Sequence, residues 1–154
     1  MLAAFGISID LPEKWEGKIF MYEPEPGFLV FPIVHAGNFS LPNDENTFGT
    51  LSMLKIRGRG AFLALVEQDP ALAARPDFAA ERLRLPIAME DLDPARLPRR
   101  QPNLLGYQAL FHSEGRPFVL QLMIGSREDT EANLASSNEV LSSLDMEKTD
   151  WRGR

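Results

Sequence analysis

A chain of 154 residues with 44% hydrophobic and 25% charged residues is long enough to bury a core and too apolar to be disordered. That length is expected to fold as one α+β domain over residues 1–147, with a frayed tail at 148–154. The formal net charge of −6 opposes contact with nucleic-acid phosphates, and the absence of cysteine excludes disulfides, thiolate metal sites and cysteine nucleophiles.

From the N-terminus, residues 6–11 alternate, with Ile7, Ile9 and Leu11 on one face and Ser8 and Asp10 on the other, so a strand is expected that stops at Pro12. Residues 18–22 read as a second strand, followed by the acidic, turn-rich linker 23–27. Residues 28–35 are almost continuously apolar, interrupted by Pro32, as in a strand buried on both faces or lying at an edge. Residues 37–49 read as an exposed loop. Residues 51–56 and 62–67 then flank Arg57-Gly58-Arg59-Gly60 and are expected to form a hairpin.

The stretch 69–103 carries prolines at 70, 76, 86, 94, 98 and 102, which forbid a long helix or a central strand. A helical turn or two at 79–83 is expected within it. Segments of this kind often serve as lids, binding loops or partner-facing arms. Residues 107–113 and 117–124 are the clearest strands. Glu114-Gly115 between them suits a two-residue turn, so Ser113 should face Arg116, Phe111 should face Phe118, and Gln108 should lie opposite Gln121 and hydrogen-bond to it. Ser126 or Thr130 caps a helix running to about Leu144. Its apolar stripe, Leu134, Val140 and Leu141, is expected to cover the face that carries the two phenylalanines. The architecture expected is an antiparallel sheet of about six or seven strands with this C-terminal helix packed across one face.

The alternating opening strand with Leu11-Pro12 and then Trp15, together with the closing strand and helix ending in Val140-Leu141-Ser142-Ser143-Leu144, resembles the PsbP-like fold family. That family includes a photosystem II extrinsic subunit and a nuclear-transport GTPase-binding protein. The segment His35-Ala36-Gly37-Asn38-Phe39-Ser40-Leu41-Pro42 resembles small uncharacterised actinobacterial proteins. The resemblance implies an αβα-like sandwich around an antiparallel sheet and binding roles rather than catalysis. It transfers no site residue.

His35 and His112 are the only side chains that ordinarily titrate near neutrality. His35 stands where a strand becomes a loop, with Asn38 three residues on. It reads as a base or ligand oriented by Asn38, Asp44 or Glu45, or more simply as a histidine that caps loop backbone. His112 reads as a hairpin residue before the turn. The face carrying Gln108, Gln121 and His112 is a place to look for a ligand or partner, although a solvent face explains it as well. Lys55-Ile56-Arg57-Gly58-Arg59-Gly60 is the one local exception to the acidic balance. It reads as a small basic contact site or, more simply, as a hairpin tip with solvated charges.

Two histidines without local spacing do not build a zinc site, and Asn43-Asp44-Glu45-Asn46 lacks the calcium-loop pattern, so no metal is expected. Gly125-Ser126-Arg127 lacks the closing glycine of a nucleophile elbow, and no phosphate-loop motif is present, so no cofactor is expected. The start, Met1 to Gly6, lacks the features of a signal peptide, and no run approaches the roughly 20 apolar residues that span a bilayer. A cytoplasmic protein without membrane or nucleic-acid partners is therefore expected. Its function reads as a non-enzymatic protein-interaction or assembly module, pairing with another protein or with itself. The alternative is a small-molecule-binding protein or enzyme with a pocket between the sheet and the segment 69–103.

Overall fold

The computed structural model describes residues 1–22, 30–43 and 48–148. The acidic linker at 23–27, the carboxylates Asp44 and Glu45 offered as partners for His35, and the tail from 149 onward lie outside the described residues.

Strands β1 (Leu2–Ala4) and β2 (Ile7–Ile9) pair antiparallel around Phe5 and Gly6, both at positive φ, the turn sense that matches strand twist. Five further strands form the main sheet: β3 (Glu16–Tyr22), β4 (Phe31–Gly37), β5 (Ala61–Glu67), β6 (Leu104–Ser113) and β7 (Arg116–Gly125). Their spatial order is β3-β4-β5-β7-β6, antiparallel throughout. A last short strand, β8 (Asp145–Met146), returns to β2 and completes a three-stranded sheet of order β1-β2-β8. Two helices, α1 (Thr50–Ile56) and α2 (Thr130–Ser142), complete the regular elements described.

The class is α+β and antiparallel, but the strands divide into two sheets instead of forming one of six or seven. The reason lies in burial. Ile7 and Ile9 are 1% exposed, and they pack with Val34, Leu63, Leu65 and Leu120 of the main sheet. An apolar face of that kind is covered by lying across a sheet, whereas extending a sheet edge would leave it in water. Helix α2 shares the same layer. Its Leu134, Val140 and Leu141 join Phe111, Phe118, Leu120 and Leu122 in one core, and Trp15 donates its indole N–H to Ser136 Oγ at 2.7 Å. Each such large apolar side chain buried stabilises the fold by about 1.5–3 kcal/mol. On the opposite face a second, smaller core joins Met53 and Ile56 of α1 to Phe62, Ala64, Leu97, Leu104 and Met123. The main sheet is thus covered on both faces, and β5 and β7 at its centre are buried along their whole length.

The hairpin β6–β7 has the register expected of its turn. Ser113 pairs with Arg116, Phe111 with Phe118, Ala109 with Leu120 and Tyr107 with Leu122. Glu114 and Gly115 both take positive φ, and the two phenylalanine rings stack at 5.6 Å. The hairpin expected at 51–67 does not form. Ser52, Met53 and Ile56 are buried while Leu51, Leu54 and Lys55 are exposed, which is helical spacing, and Arg57-Gly58 ends the helix in two left-handed residues. Strand β4 is interior, and Pro32 is tolerated because the β5 ladder begins one residue later, at Ile33 with Val66.

Residues 69–103 form a strap. Three of its prolines open short 3-10 turns at Pro70–Ala74, Pro76–Phe78 and Pro94–Arg96, and Asp69 and Asp93 cap two of them through Ala71 N and Ala95 N. The helical turn expected at 79–83 is absent, since Ala80 instead gives its carbonyl to the amide of His112 at 2.8 Å. Ile87 is buried in the α2 core, with both of its backbone groups bonded to the Asn138 amide. Asp93 then exchanges two backbone hydrogen bonds with Gly106, and Leu97 enters the second core. The strap therefore crosses the outer edge of β6 and bonds to it at Gly106 and His112. A Cβ at Gly106 would lie 2.8 Å from backbone atoms of Arg96 and Leu97, so the crossing requires a glycine there.

At the end of β7, Asp129 takes the N-cap position of α2 in a left-handed conformation without a side-chain cap. Thr130 gives its hydroxyl hydrogen to Gly125 O instead of capping the helix, and the helix stops at Ser142.

Candidate functional site

The basic run at 55–60 belongs to the end of α1 and the turn that follows it. Arg57 (φ 50°) and Gly58 (φ 82°) reverse the chain, and the turn docks on the end of β7. Gly58 O accepts the amides of Arg127 and Glu128, and Gly60 O accepts the amide of Gly125 at 2.8 Å. Two glycines permit this approach. A Cβ at Gly58 would stand 2.8 Å from the Arg127 side chain, and one at Gly125 would stand 2.1 Å from the Gly58 carbonyl carbon. The consequence is that Arg57 and Arg59 from one stretch and Arg127 from another line a single cleft.

The floor of that cleft is an amide relay. Asn38 Oδ1 accepts the Ala61 amide at 2.8 Å, and Asn38 Nδ2 donates to Asn133 Oδ1 at 2.8 Å. Asn133 Nδ2 in turn donates to Arg59 O at 3.0 Å. Asn133 is buried and ties the relay to α2. Lys55, which also lines the cleft, donates from Nζ to Ser40 O. The cleft has a volume of about 590 Å³ and is lined by these four cations with Asn38, Phe39, Ile56 and Gly60. Its size falls within the range of about 300–1,000 Å³ usual for ligand sites. Among the described residues one carboxylate pairs with it: Glu128 lies 3.6 Å from Arg59, with both side chains more than half exposed. An ion pair so exposed contributes about 0–1 kcal/mol, so water or another anion displaces it readily.

Of the candidate ligand-binding residues His35, Asn38, Gln108, His112 and Gln121, Asn38 lines this cleft, beside the basic run noted at 55–60. His35, Gln121 and Gln108 do share one cross-strand row, in the order Lys18, His35, Ala64, Gln121, Gln108. At about 4.8 Å between strands, Ala64 keeps His35 and Gln121 roughly 10 Å apart. His35 is 1% exposed and lies edge-on between Phe20 and Phe62, with ring centroids at 5.0 and 5.2 Å. Gln121 is fully buried and does not bond to Gln108. Its Nε2 donates to Arg96 O at 2.8 Å, with longer contacts to Tyr107 O and Leu122 O, and its Oε1 has no partner. The strap explains this, since crossing Gly106 brings the Arg96 carbonyl over Gln121 while Gln108 stays exposed on β6. His112 is half-buried. Its Nδ1 donates to Phe78 O at 2.7 Å, and its backbone amide binds Ala80, so it anchors the strap.

Arg127 was not singled out from the sequence as a site residue. Arg127 stands almost 70 positions from the basic run, and nothing local announces that the Gly58–Gly125 contact brings the two together. Among the described residues no group of three or more His, Asp and Glu side chains converges as a metal site would require, and no helix is long and apolar enough to cross a membrane. Comparisons with protein-family models, with curated proteins and with solved structures find no match for this chain.

Proposed function

We propose that this chain is a binding module that engages an anionic partner through the cleft between α1, the 57–60 turn and Arg127. The carrying observation is the gathering of Lys55, Arg57, Arg59 and Arg127 around one cleft in a chain of net charge −6. The groups that face it suit recognition rather than proton transfer. Guanidinium stays protonated at any physiological pH and presents a rigid fork to carboxylate or phosphate, whereas a general base must change protonation near its working pH. An interaction module of this kind, working in the cytoplasm and resembling the PsbP-like family, is the reading we retain from the sequence.

The rival reading, a small-molecule pocket between the sheet and residues 69–103, has less support. The strap lies directly on the sheet at Gly106 and Ile87, and the hollow beside Gln101 and Pro102 holds only about 60 Å³.

Titrating inorganic phosphate into the isotope-labelled protein tests the proposal. Amide shifts are expected at Asn38, at 55–60 and at Arg127, and they should disappear in a protein carrying Arg57→Gln with Arg127→Gln. Shifts scattered over the surface, or equal in that variant, would refute it.

A further inference from the structure

We infer that the cleft takes a short acidic peptide segment of a partner protein, with carboxylates at Arg57, Arg59 and Arg127 and an apolar side chain against Leu54. This inference rests on the anion-binding reading above and narrows it to one class of ligand.

Three observations carry it. First, the site is longer than a single anion needs. Arg57 also lines a second hollow of about 60 Å³, bounded by Leu54, Gly58, Gln101 and Pro102. Leu54, on the outer face of α1, is 53% exposed there. A ligand that crosses Arg57 therefore meets cations on one side and an apolar surface on the other, which suits an extended chain bearing both kinds of side chain. Second, the molecule already seats a carboxylate at this rim, since Glu128 reaches Arg59 at 3.6 Å. An incoming peptide carboxylate replaces an exposed, weakly held one of the same chemistry.

Third, the surroundings select against longer polyanions. Glu128, Asp129 and Glu131 are exposed at the start of α2, next to Arg127, and the chain as a whole is acidic. A nucleic-acid strand or an anionic membrane would extend beyond the four cations into this negative field, where each further phosphate is repelled. A short peptide ends before reaching it.

The test is fluorescence anisotropy with a labelled short peptide of Asp and Glu around a central leucine. Parallel arms use the same peptide with lysine in place of the acids, inorganic phosphate, an oligothymidylate and vesicles containing phosphatidylserine. The acidic peptide should bind, more weakly as salt rises, and the lysine peptide should not. Arg57→Gln and Arg127→Gln should each weaken binding about tenfold, as expected when a hydrogen bond to a charged group is lost. Leu54→Ser should weaken it severalfold, and Glu128→Gln should tighten it about two- to threefold by removing the competing carboxylate. All four positions are exposed, so circular dichroism is expected to match the parent in each variant. If phosphate shifts the cleft amides but the peptide binds no more tightly than phosphate, the peptide inference falls while the anion site stands. If neither ligand is bound, both readings fall. Tighter binding of the oligothymidylate or the vesicles, or indifference to Glu128→Gln and Leu54→Ser, overturns the inference.

Discussion

Replacing Arg116 with methionine removes the device that ties the two sheets together. The guanidinium is 6% exposed and makes five hydrogen bonds: two to Glu67 Oε1, at 2.6 and 3.2 Å, and one each to the carbonyls of Phe5, Gly6 and Glu147, at 2.8, 3.2 and 2.9 Å. Its Cζ also lies 5.4 Å from the centre of the Phe118 ring. One side chain of the main sheet thus holds the β1–β2 turn and the chain beyond β8. Methionine preserves most of the stem packing, so the loss isolates the charge. Glu67, 3% exposed, would keep its carboxylate in the interior without the guanidinium, a situation that costs about 3–5 kcal/mol. The three carbonyls add little, because Phe5, Gly6 and Glu147 are partly or fully exposed and water can take the place of the donor. Glu67→Gln should cost less, about 1–2 kcal/mol, since a neutral amide oxygen still accepts from the guanidinium. Urea unfolding gives these differences, and hydrogen exchange locates them: amides of the β1–β2 pair should lose more protection than those of the β5–β7 ladder. A loss below about 1 kcal/mol for Arg116→Met, or a uniform loss of protection, would refute the clamp.

Three further outcomes follow from particular contacts. Burial, reinforced by Asp91 and opposed by Arg96 and Arg84, holds the Tyr107 phenol above its ordinary value of 10.0. The unfolded chain therefore ionises first, and the stability this provides below about pH 10 is lost as pH rises through the folded value. Tyr107→Phe should flatten the decline in urea midpoint between about pH 9 and pH 11, and equal slopes in the two proteins would contradict the burial of the phenol. Gly106→Ala should cost about 1–3 kcal/mol and speed amide exchange at Asp93, because the added methyl meets the strap backbone; unchanged exchange would mean that the strap does not rest there. Gly58→Ala should cost about 1–2 kcal/mol for its left-handed backbone and displace Arg127 as well, so peptide binding should fall along with stability; unaltered anisotropy would separate the glycine from the cleft.

How much of this fold was readable depended on whether a signal was local. The β6–β7 register follows from two residues, Glu114 and Gly115, and period-2 alternation carries it outward to Tyr107 and Leu122, so every pair and the helix-covered face could be derived. Residues 51–56 are the counter-example. The seven residues of α1, Thr50–Ile56, hold barely two helical turns, and a short apolar run suits either period. Arg57-Gly58 is equally ambiguous, since a glycine at positive φ ends a helix as readily as it turns a hairpin. The division into two sheets was out of reach for a different reason. It depends on where Ile7 and Ile9 come to rest, and alternation within a strand says which side is apolar without saying what covers it.

The site follows the same division. Its cations were visible as a cluster at 55–60, yet their meaning changed once α1 formed. On a hairpin tip they would have spread into solvent, whereas at a helix end packed against β7 they converge with Arg127. Asn38 was noticed as a possible partner for His35, and its amide is instead engaged by Ala61 and Asn133, which turns it into the floor beneath Arg59. The histidines drew attention because they titrate, but the structure places one between two phenylalanine rings and gives the other to the strap. The strap bonds to the outer edge of β6 at Gly106 and at His112, which interrupts the run of free backbone groups that a partner strand would pair with. What the strap leaves uncovered beside α1 is Leu54 and Arg57, and the two glycines at 58 and 125 are what bring Arg127 to meet them.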